Sequence, residues 1–502
     1  MATQTMSVQD ALWLTMDRPN NLMVIDSVLW LSEPLALEAA RAVIRERLVD
    51  RFPVFRCRPV HGEHGYEWQE APDFDLERHT FDVELPSPVT EDVVREYFSS
   101  QRSIPLDRNH PLWQMHLING IVRPDGQEGS AVLCRFHHSI ADGIRLTQVL
   151  LAMCDAETEV DTVVTRAGEA YHGGVAGTLE AAVHGVTAVA GDLVVSAADA
   201  VSHPLVTATH VPGAVAHGAK GLFSGVLDLT LHPHRVVDAL SAVRHADLEA
   251  LNDVKSVYKL GMAPPSPETV WSGEPGIEKA SNWMRPFSLD LVKQIGRAEG
   301  ATVNDVLMSA VAGALRRYLH HHGAHLDEVV WMVPVSLMAF DAELPQDLGN
   351  HFALVMLKLP LAIEDPRELL HEVSDRMGKI KHSHEPVITF GLQRAISQTP
   401  SDVGPLLINF FANKALGVLT NVPGPRAPIS FAGARVEGVL GWAPCSGDQP
   451  LTIGLFTYNE TVSVTFGADA TRFPDHHRLP GCFEDAMAEM YEAIVGPLPE
   501  PG

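Results

Sequence analysis

An α/β or α+β fold with mixed sheets, in more than one domain, is predicted by three features of this 502-residue sequence. Short apolar or β-branched runs bounded by turn residues recur along the chain. Helical stripes lie between them. Hydrophobic residues make up 46% of the whole, enough to fill substantial cores. At ~100–200 residues per domain, the length argues for two or more.

From about Leu35 to Arg51, apolar residues recur at helical spacing. Ala131 to Phe136 reads as a short buried strand that runs straight into His137-His138. Residues 160–245 differ from both flanks: rich in Ala, Gly, Val and His, poor in aromatics and charge. They read as a connection between an N-terminal unit, 1–160, and a C-terminal unit, 246–502. Within the connection (161–245), Leu179 to Val201 forms weakly amphipathic helices that pack across the domains or lie on a membrane surface. Packing is preferred, because a Lys/Arg-rich polar face is missing.

The clearest helix follows Phe287. Thr302 caps it with Asp305 three residues on, and Val303, Val306, Leu307, Ala310, Val311, Ala314, Leu315 and Tyr318 form one stripe. Val329 to Val335, Ala353 to Leu359, Thr452 to Phe456 and Thr461 to Phe466 read as strands.

Composition excludes several function classes. With 63 acidic side chains against 37 basic, the net charge of −26 repels nucleic acid and anionic headgroups. The five cysteines lack CxxC spacing and read as reduced, intracellular thiols. Met1 to Asp10 carries no basic run and apolar core of a secretory signal. The best uncharged stretch, Ala200 to Ala219, contains Pro204, Pro212 and Gly213, poor material for a membrane-spanning helix. A cytoplasmic protein is expected, at most peripheral at the inner membrane or a lipid droplet.

The chemistry concentrates at His137-His138-Ser139-Ile140-Ala141-Asp142-Gly143. A histidine at a strand end suits proton abstraction from a hydroxyl, since an imidazole pKa of ~6.5 leaves it mostly neutral at pH 7. His138 is the candidate base. No GxSxG elbow or cysteine-nucleophile signature points to a covalent acyl-enzyme. The runs His320-His321-His322 and His476-His477 lack Cys or carboxylate at ligand spacing and read as a solvated helix end and loop, so no metal is expected.

The segment from His138 to Gly143 resembles the HxxxDG signature of the CoA-dependent acyltransferase superfamily. With His137 it resembles the HHxxxDG form of bacterial wax ester synthases/diacylglycerol acyltransferases and of peptide-synthetase condensation domains. Companions follow in the first family's order: Ser7, Asp10 and Leu14; Pro111-Leu112-Trp113; Asn304-Asp305-Val306-Leu307; Pro334-Val335-Ser336-Leu337; Gly349-Asn350; Asn421-Val422-Pro423-Gly424-Pro425; and Tyr458-Asn459 to Asp469. The resemblance spans nearly the whole chain. It implies two chloramphenicol-acetyltransferase-like lobes forming a pseudo-dimer, with a tunnel between them.

Each companion also has a plain structural reading. Pro111-Leu112-Trp113 seats a core aromatic and holds the pocket indirectly, although Pro111 and Trp113 also stand as candidates for substrate contact beside Asp305 and Asn350. Gly349 is a backbone necessity. Asn304 either caps its helix or faces the cleft to position substrate, as the resemblance implies. The same resemblance implies that Asp142 turns from the imidazole and pairs with an arginine, Arg145 or Arg18, to hold the loop. Gly143 would then free the sharp turn, and His137 would support the loop or line the pocket. Lys379, Lys381 and His382 are candidates for CoA's phosphates; a solvated helix end explains them equally.

The resemblance implies direct transfer from acyl-CoA, the co-substrate, to a long-chain fatty alcohol or diacylglycerol, with no tightly bound cofactor expected. The rivals are a condensation-type transfer to another nucleophile and a non-catalytic lipid-binding relative.

Overall fold

In a computed structural model of the chain, residues 3–63, 65–156, 267–336, 344–350, 352–381, 408–409 and 411–498 are described. The proposed connection 161–245 with its helices, Leu337 and His382 lie outside the described residues.

Two seven-stranded mixed sheets carry the architecture. The N-terminal sheet runs in the order β5 (Thr80–Asp82), β6 (Trp113–Val122), β7 (Glu128–His137), β2 (Val24–Leu31), β15 (Ala434–Trp442), β14 (Ile429–Phe431), β8 (Asp155–Ala156). The C-terminal sheet runs β10 (Phe287–Ser288), β17 (Thr461–Asp469), β16 (Leu451–Tyr458), β13 (Gly417–Pro423), β11 (Glu328–Ser336), β12 (Phe352–Pro360), with β9 (Lys279–Trp283) also on β17. A small sheet of β1 (Thr3–Thr5), β4 (Gly65–Glu70) and β3 (Cys57–Gly62) stands apart. Both large sheets mix directions: β5 pairs parallel to β6, and β13 is parallel to both β11 and β16.

The division at residue 246 is therefore crossed. β14 and β15, from late in the chain, belong to the N-terminal sheet, where β15 pairs antiparallel with β2 over Val436 to Trp442. β2 is thus flanked by β7 on one side and β15 on the other.

Helices cover these sheets. α1 (Val8–Met16), α2 (Leu37–Ile44), α3 (Glu91–Gln101) and α4 (Gly143–Ala152) belong to the first half, and the apolar stripe of Leu35–Arg51 continues past α2 as a wider turn over Arg45–Val49. α5 (Leu289–Glu299), α6 (Val303–His321), α7 (Pro366–Lys381) and α8 (Arg478–Ile494) belong to the second. α6 starts on the expected capping box: Asp305 N donates to Thr302 Oγ1 at 3.2 Å, and Thr302 N to Asp305 Oδ2 at 2.8 Å. Its stripe is buried against α8 and the C-terminal sheet.

β7 is buried over nearly its whole length, as a strand flanked on both edges and covered on both faces must be. It delivers the two histidines to the end of the sheet, where the chain turns into α4.

Candidate active site

β7 hands its last residue, His137, to a tight turn. The backbone N–H of His138 donates to the Met23 carbonyl at 2.7 Å, and that of His137 to the Leu112 carbonyl at 3.0 Å. Asp142 ends the turn as N-cap of α4, its Oδ1 accepting from the Arg145 backbone N–H at 2.9 Å.

The His138 ring is held on two sides. Its face stacks on Trp13, ring centroids 4.0 Å apart and 18° from parallel, with Phe352 at 5.7 Å. Its Nδ1 lies 2.9 Å from Asn350 Oδ1. The Asn350 amide group donates to Asp10 Oδ1 at 2.7 Å and to the His138 carbonyl at 2.9 Å, so its Oδ1 is left to accept. Nδ1 therefore carries the proton. Nε2 holds the lone pair, with no hydrogen-bond partner among the described residues. Burial, with His137 nearby, outweighs the hydrogen bonds and pushes the ring's pKa down to about 4, so His138 is neutral at pH 7.

His137 faces elsewhere. The Ser139 backbone N–H donates to its Nδ1 at 3.1 Å, so Nε2–H points to Asp17 Oδ2 at 3.1 Å. Asp17 also accepts from the Met23 N–H and from Arg108; these bonds outweigh the effect of burial and hold its carboxyl below the usual range. His137 braces the loop and is absent from the cavity wall.

That wall lines a partly open cavity between the two sheets. β2 contributes Ile25 and Ser27; β15 contributes Val439 to Trp442; β11, β12, β13 and β16 contribute Met332, Phe352, Val418 and Leu455, among others. The start of α4, Gly143, Ile144 and Thr147, closes one side beside His138. The lining is largely apolar, with Asn421, Thr420, Ser446 and Asp142 as polar points. Such a space suits an aliphatic chain meeting one base.

The wax ester synthase/diacylglycerol acyltransferase catalytic-domain model matches residues 6–261, and that of the WS/DGAT C-terminal domain residues 348–491. The chain belongs to the wax ester synthase/diacylglycerol acyltransferase family. It is accordingly an acyl-CoA-dependent acyltransferase of the type that makes triacylglycerol or wax esters. Among its relatives are two probable diacylglycerol O-acyltransferases of Mycobacterium tuberculosis. Tgs1 is 24% identical over 84% of this chain and 81% of its own, and tgs2 is 26% identical over 89% and 90%. The fold is similar to that of the wax ester synthase/diacylglycerol acyltransferase from Marinobacter aquaeolei, with TM-score 0.63, 18% identity, and 97% and 98% of the two chains covered. It is also similar to the first condensation domain of the CDA synthetase, with TM-score 0.55, 15% identity, and 99% and 98% covered.

Several residues expected at the site stand elsewhere in this family member. Trp113 is fully buried, its Nε1–H donating to the Phe55 carbonyl at 2.9 Å and its ring stacked on His79; Pro111 is buried beside it, and neither lines the cavity. Hydrophobic burial claims this segment, which reaches the site only through the Leu112 carbonyl on His137. Asp305 is turned inward by its capping duty, accepts from Ser374 at 3.3 Å and is not part of the cavity wall. Asn304 sits behind the wall, its Oδ1 accepting from the wall residue Asn421 at 2.8 Å. Asn350 touches the imidazole and is not part of the wall.

Gly143 begins α4 without left-handed φ, so conformational freedom is not its role. A Cβ there would meet only Ile25 Cδ1, at 3.9 Å, and would stand in the cavity. The left-handed residue is Gly349, φ 59°, whose carbonyl accepts from the Asp142 N–H while Asn350 turns toward His138. Arg18 is engaged with Asp448 and the Gly447 carbonyl, and the Arg145 side chain reaches Gln148 at 3.3 Å. Lys379 and Lys381 lie in the last turn of α7, outside the cavity wall.

Ser7, Asp10 and Leu14 were expected from the resemblance, but the helix α1 that carries this segment, with Trp13 and Asp17, was not. Asp10 and Trp13 on α1, and Asp17 just past its last turn, meet Asn350, His138 and His137 respectively. Ser7 caps this helix, accepting from the Asp10 N–H at 3.0 Å and donating to its carboxylate at 2.6 Å. The Ser-x-x-Asp spacing was the available signal.

Proposed function

We propose that His138 is the general base of a direct transfer from acyl-CoA to a hydrophobic alcohol, diacylglycerol or a long-chain fatty alcohol. The observation that carries this reading is an imidazole with Nδ1 committed to Asn350 and Nε2 without a partner among the described residues, in the wall of an apolar cavity between two sheets. Nε2 accepts the hydroxyl proton as the oxygen attacks the thioester carbon. The carbon–sulfur bond then breaks, and the imidazolium returns the proton to the leaving thiolate. An imidazolium with a pKa near 4 is a strong acid toward a thiolate, which favours that last step.

Backbone N–H groups at the first turn of α4, unpaired within the helix, supply donors for the tetrahedral oxyanion. Asp142 and His137 keep the turn in place, and Asn304 acts through Asn421. Acyl-CoA enters from one face of the cavity and the alcohol from the other. A complex of the rhizomide synthetase starter condensation domain with C8-CoA supports this family of folds admitting a CoA thioester. The names of the mycobacterial relatives favour diacylglycerol as acceptor. The N-terminal sheet, β15 included, and the C-terminal sheet then supply the two sides of the cavity, and Lys379 and Lys381 remain candidates for CoA's phosphates. An acceptor of that kind places turnover at a membrane or droplet surface.

Purified His138→Ala with labelled palmitoyl-CoA and either dioleoylglycerol or hexadecanol tests the reading. Ester formation should fall by at least ~100-fold with the fold intact by circular dichroism. Unchanged turnover would remove His138 as the base, and product from amines alone would replace the alcohol by another nucleophile.

A further inference from the structure

Strand β2 has two faces, and the reaction cavity uses one of them. Ile25 and Ser27 face it, whereas the alternate residues Val24 and Asp26 line a second, much smaller cavity on the other side. Arg102 (just beyond α3), Lys279, Cys445 and Asp469 complete its charged and polar lining, and Pro444 borders both cavities.

The charges here do not balance. The guanidinium of Arg102, nine-tenths buried, and that of Arg135, wholly buried, share a single carboxylate, Asp26, at 3.6 and 3.3 Å. Lys279 is already matched by Asp469 at 2.8 Å. The Cys445 thiol, raised to about 11 by burial despite the cations around it, is neutral at pH 7 and supplies no counter-charge. His116, beside Arg135, is lowered to about 3 by burial and by that arginine, and adds no cation. Among these described side chains three cations thus meet two carboxylates, and one positive charge is left over.

It resides on Arg102. Arg135 donates to the Ile104 carbonyl at 2.7 Å as well as to Asp26. Among the described residues the Arg102 guanidinium makes no hydrogen bond: its Nε and Nη1 are buried without one, Nη1 only facing Asp26 at 3.6 Å, and Nη2 lies against Gly467, another wall residue. A buried cation with unmade hydrogen bonds is unfavourable unless an anion meets it.

We propose that this cavity is a binding site for a small monovalent anion held by Arg102. Two sources share that chemistry: a free inorganic anion such as chloride, or the carboxylate head group of a fatty acid. Because Ala443, Pro444 and Ser446 wall the reaction cavity, an anion seated here braces the segment that the two cavities have in common.

The test is thermal unfolding of the full chain at constant ionic strength, with sodium chloride or sodium octanoate replacing sodium gluconate. The wild type should show a saturable rise in Tm with at least one of them. A response to chloride alone assigns an inorganic anion, and a response to octanoate alone assigns the lipid carboxylate. Arg102→Gln leaves Asp26 paired with Arg135 and should lose the response. Asp26→Asn removes the shared carboxylate and should reach half-saturation at a lower anion concentration. An equal response in wild type and Arg102→Gln, no response to either anion, or an Asp26→Asn half-saturation at or above the wild-type value would overturn the site. The Asp26→Asn comparison decides alone if Arg102→Gln does not fold.

Discussion

Asn350 Oδ1 lies 2.9 Å from His138 Nδ1, and the amide of that asparagine is itself fixed by Asp10 and by the His138 carbonyl. The imidazole therefore has one tautomer available, with the lone pair at Nε2. In Asn350→Leu that constraint is gone while the apolar volume is kept. We expect kcat to fall by ~10–100-fold, with KM for acyl-CoA little changed. Steady-state kinetics on the folded variant check this.

Acid should act on both activity and stability. The free-enzyme pKa of His138 near 4 puts the acid limb of kcat/KM close to that value, with no inflection at 6.5. In the unfolded chain the same ring takes a proton below 6.5, whereas the folded chain resists until about 4. Its contribution to stability is thus complete above pH 6.5 and is lost as pH falls from 6.5 to 4. His116, lowered to about 3, acts in the same direction. Denaturant midpoints at pH 7 and pH 5 should differ accordingly. In Trp13→Ala, which rehydrates the His138 face, the acid limb should move up toward 6.5.

Asp305 tests where the line between fold and chemistry runs. Asp305→Ala removes one half of the capping box and the acceptor for Ser374, and should cost ~1–2 kcal/mol of unfolding free energy. Because the carboxylate points away from the cavity, kcat and KM should be unchanged. A selective loss of kcat at full stability would place Asp305 at the substrate.

Gly143 tests the space beside the base. With Ile25 Cδ1, at 3.9 Å, the one atom of the described residues outside the local backbone within 4 Å of an added Cβ, Gly143→Leu should fold and fill part of the cavity. The ratio of kcat/KM for long-chain over medium-chain acyl-CoA should then fall by about tenfold or more. An unaltered chain-length profile would mean the acyl chain lies elsewhere.

Local signals made much of this legible in advance. The run from Ala131 ended at the histidines as β7, and Thr302 with Asp305 marked the start of α6, because hydrophobic runs and caps depend on near neighbours. The resemblance implied a tunnel between two lobes, but the residues of its wall did not show, since they come singly from β2, β11, β12, β13, β15 and β16, far apart in the chain. Trp113 and Asp305 carry family-like sequence, but packing and capping already occupy them. Alternation in Ala434 to Trp442 announces a strand and gives no hint of which sheet receives it.

That receipt governs how the protein comes into being. Until Trp442 has left the ribosome, one edge of β2 has no neighbour, and a fragment ending after α4 would present bare N–H and C=O groups to any passing strand. The two halves cannot be made apart and mixed as finished modules. The first sheet matures only when nearly nine-tenths of the polypeptide has been synthesised, so its assembly is a late, whole-chain event.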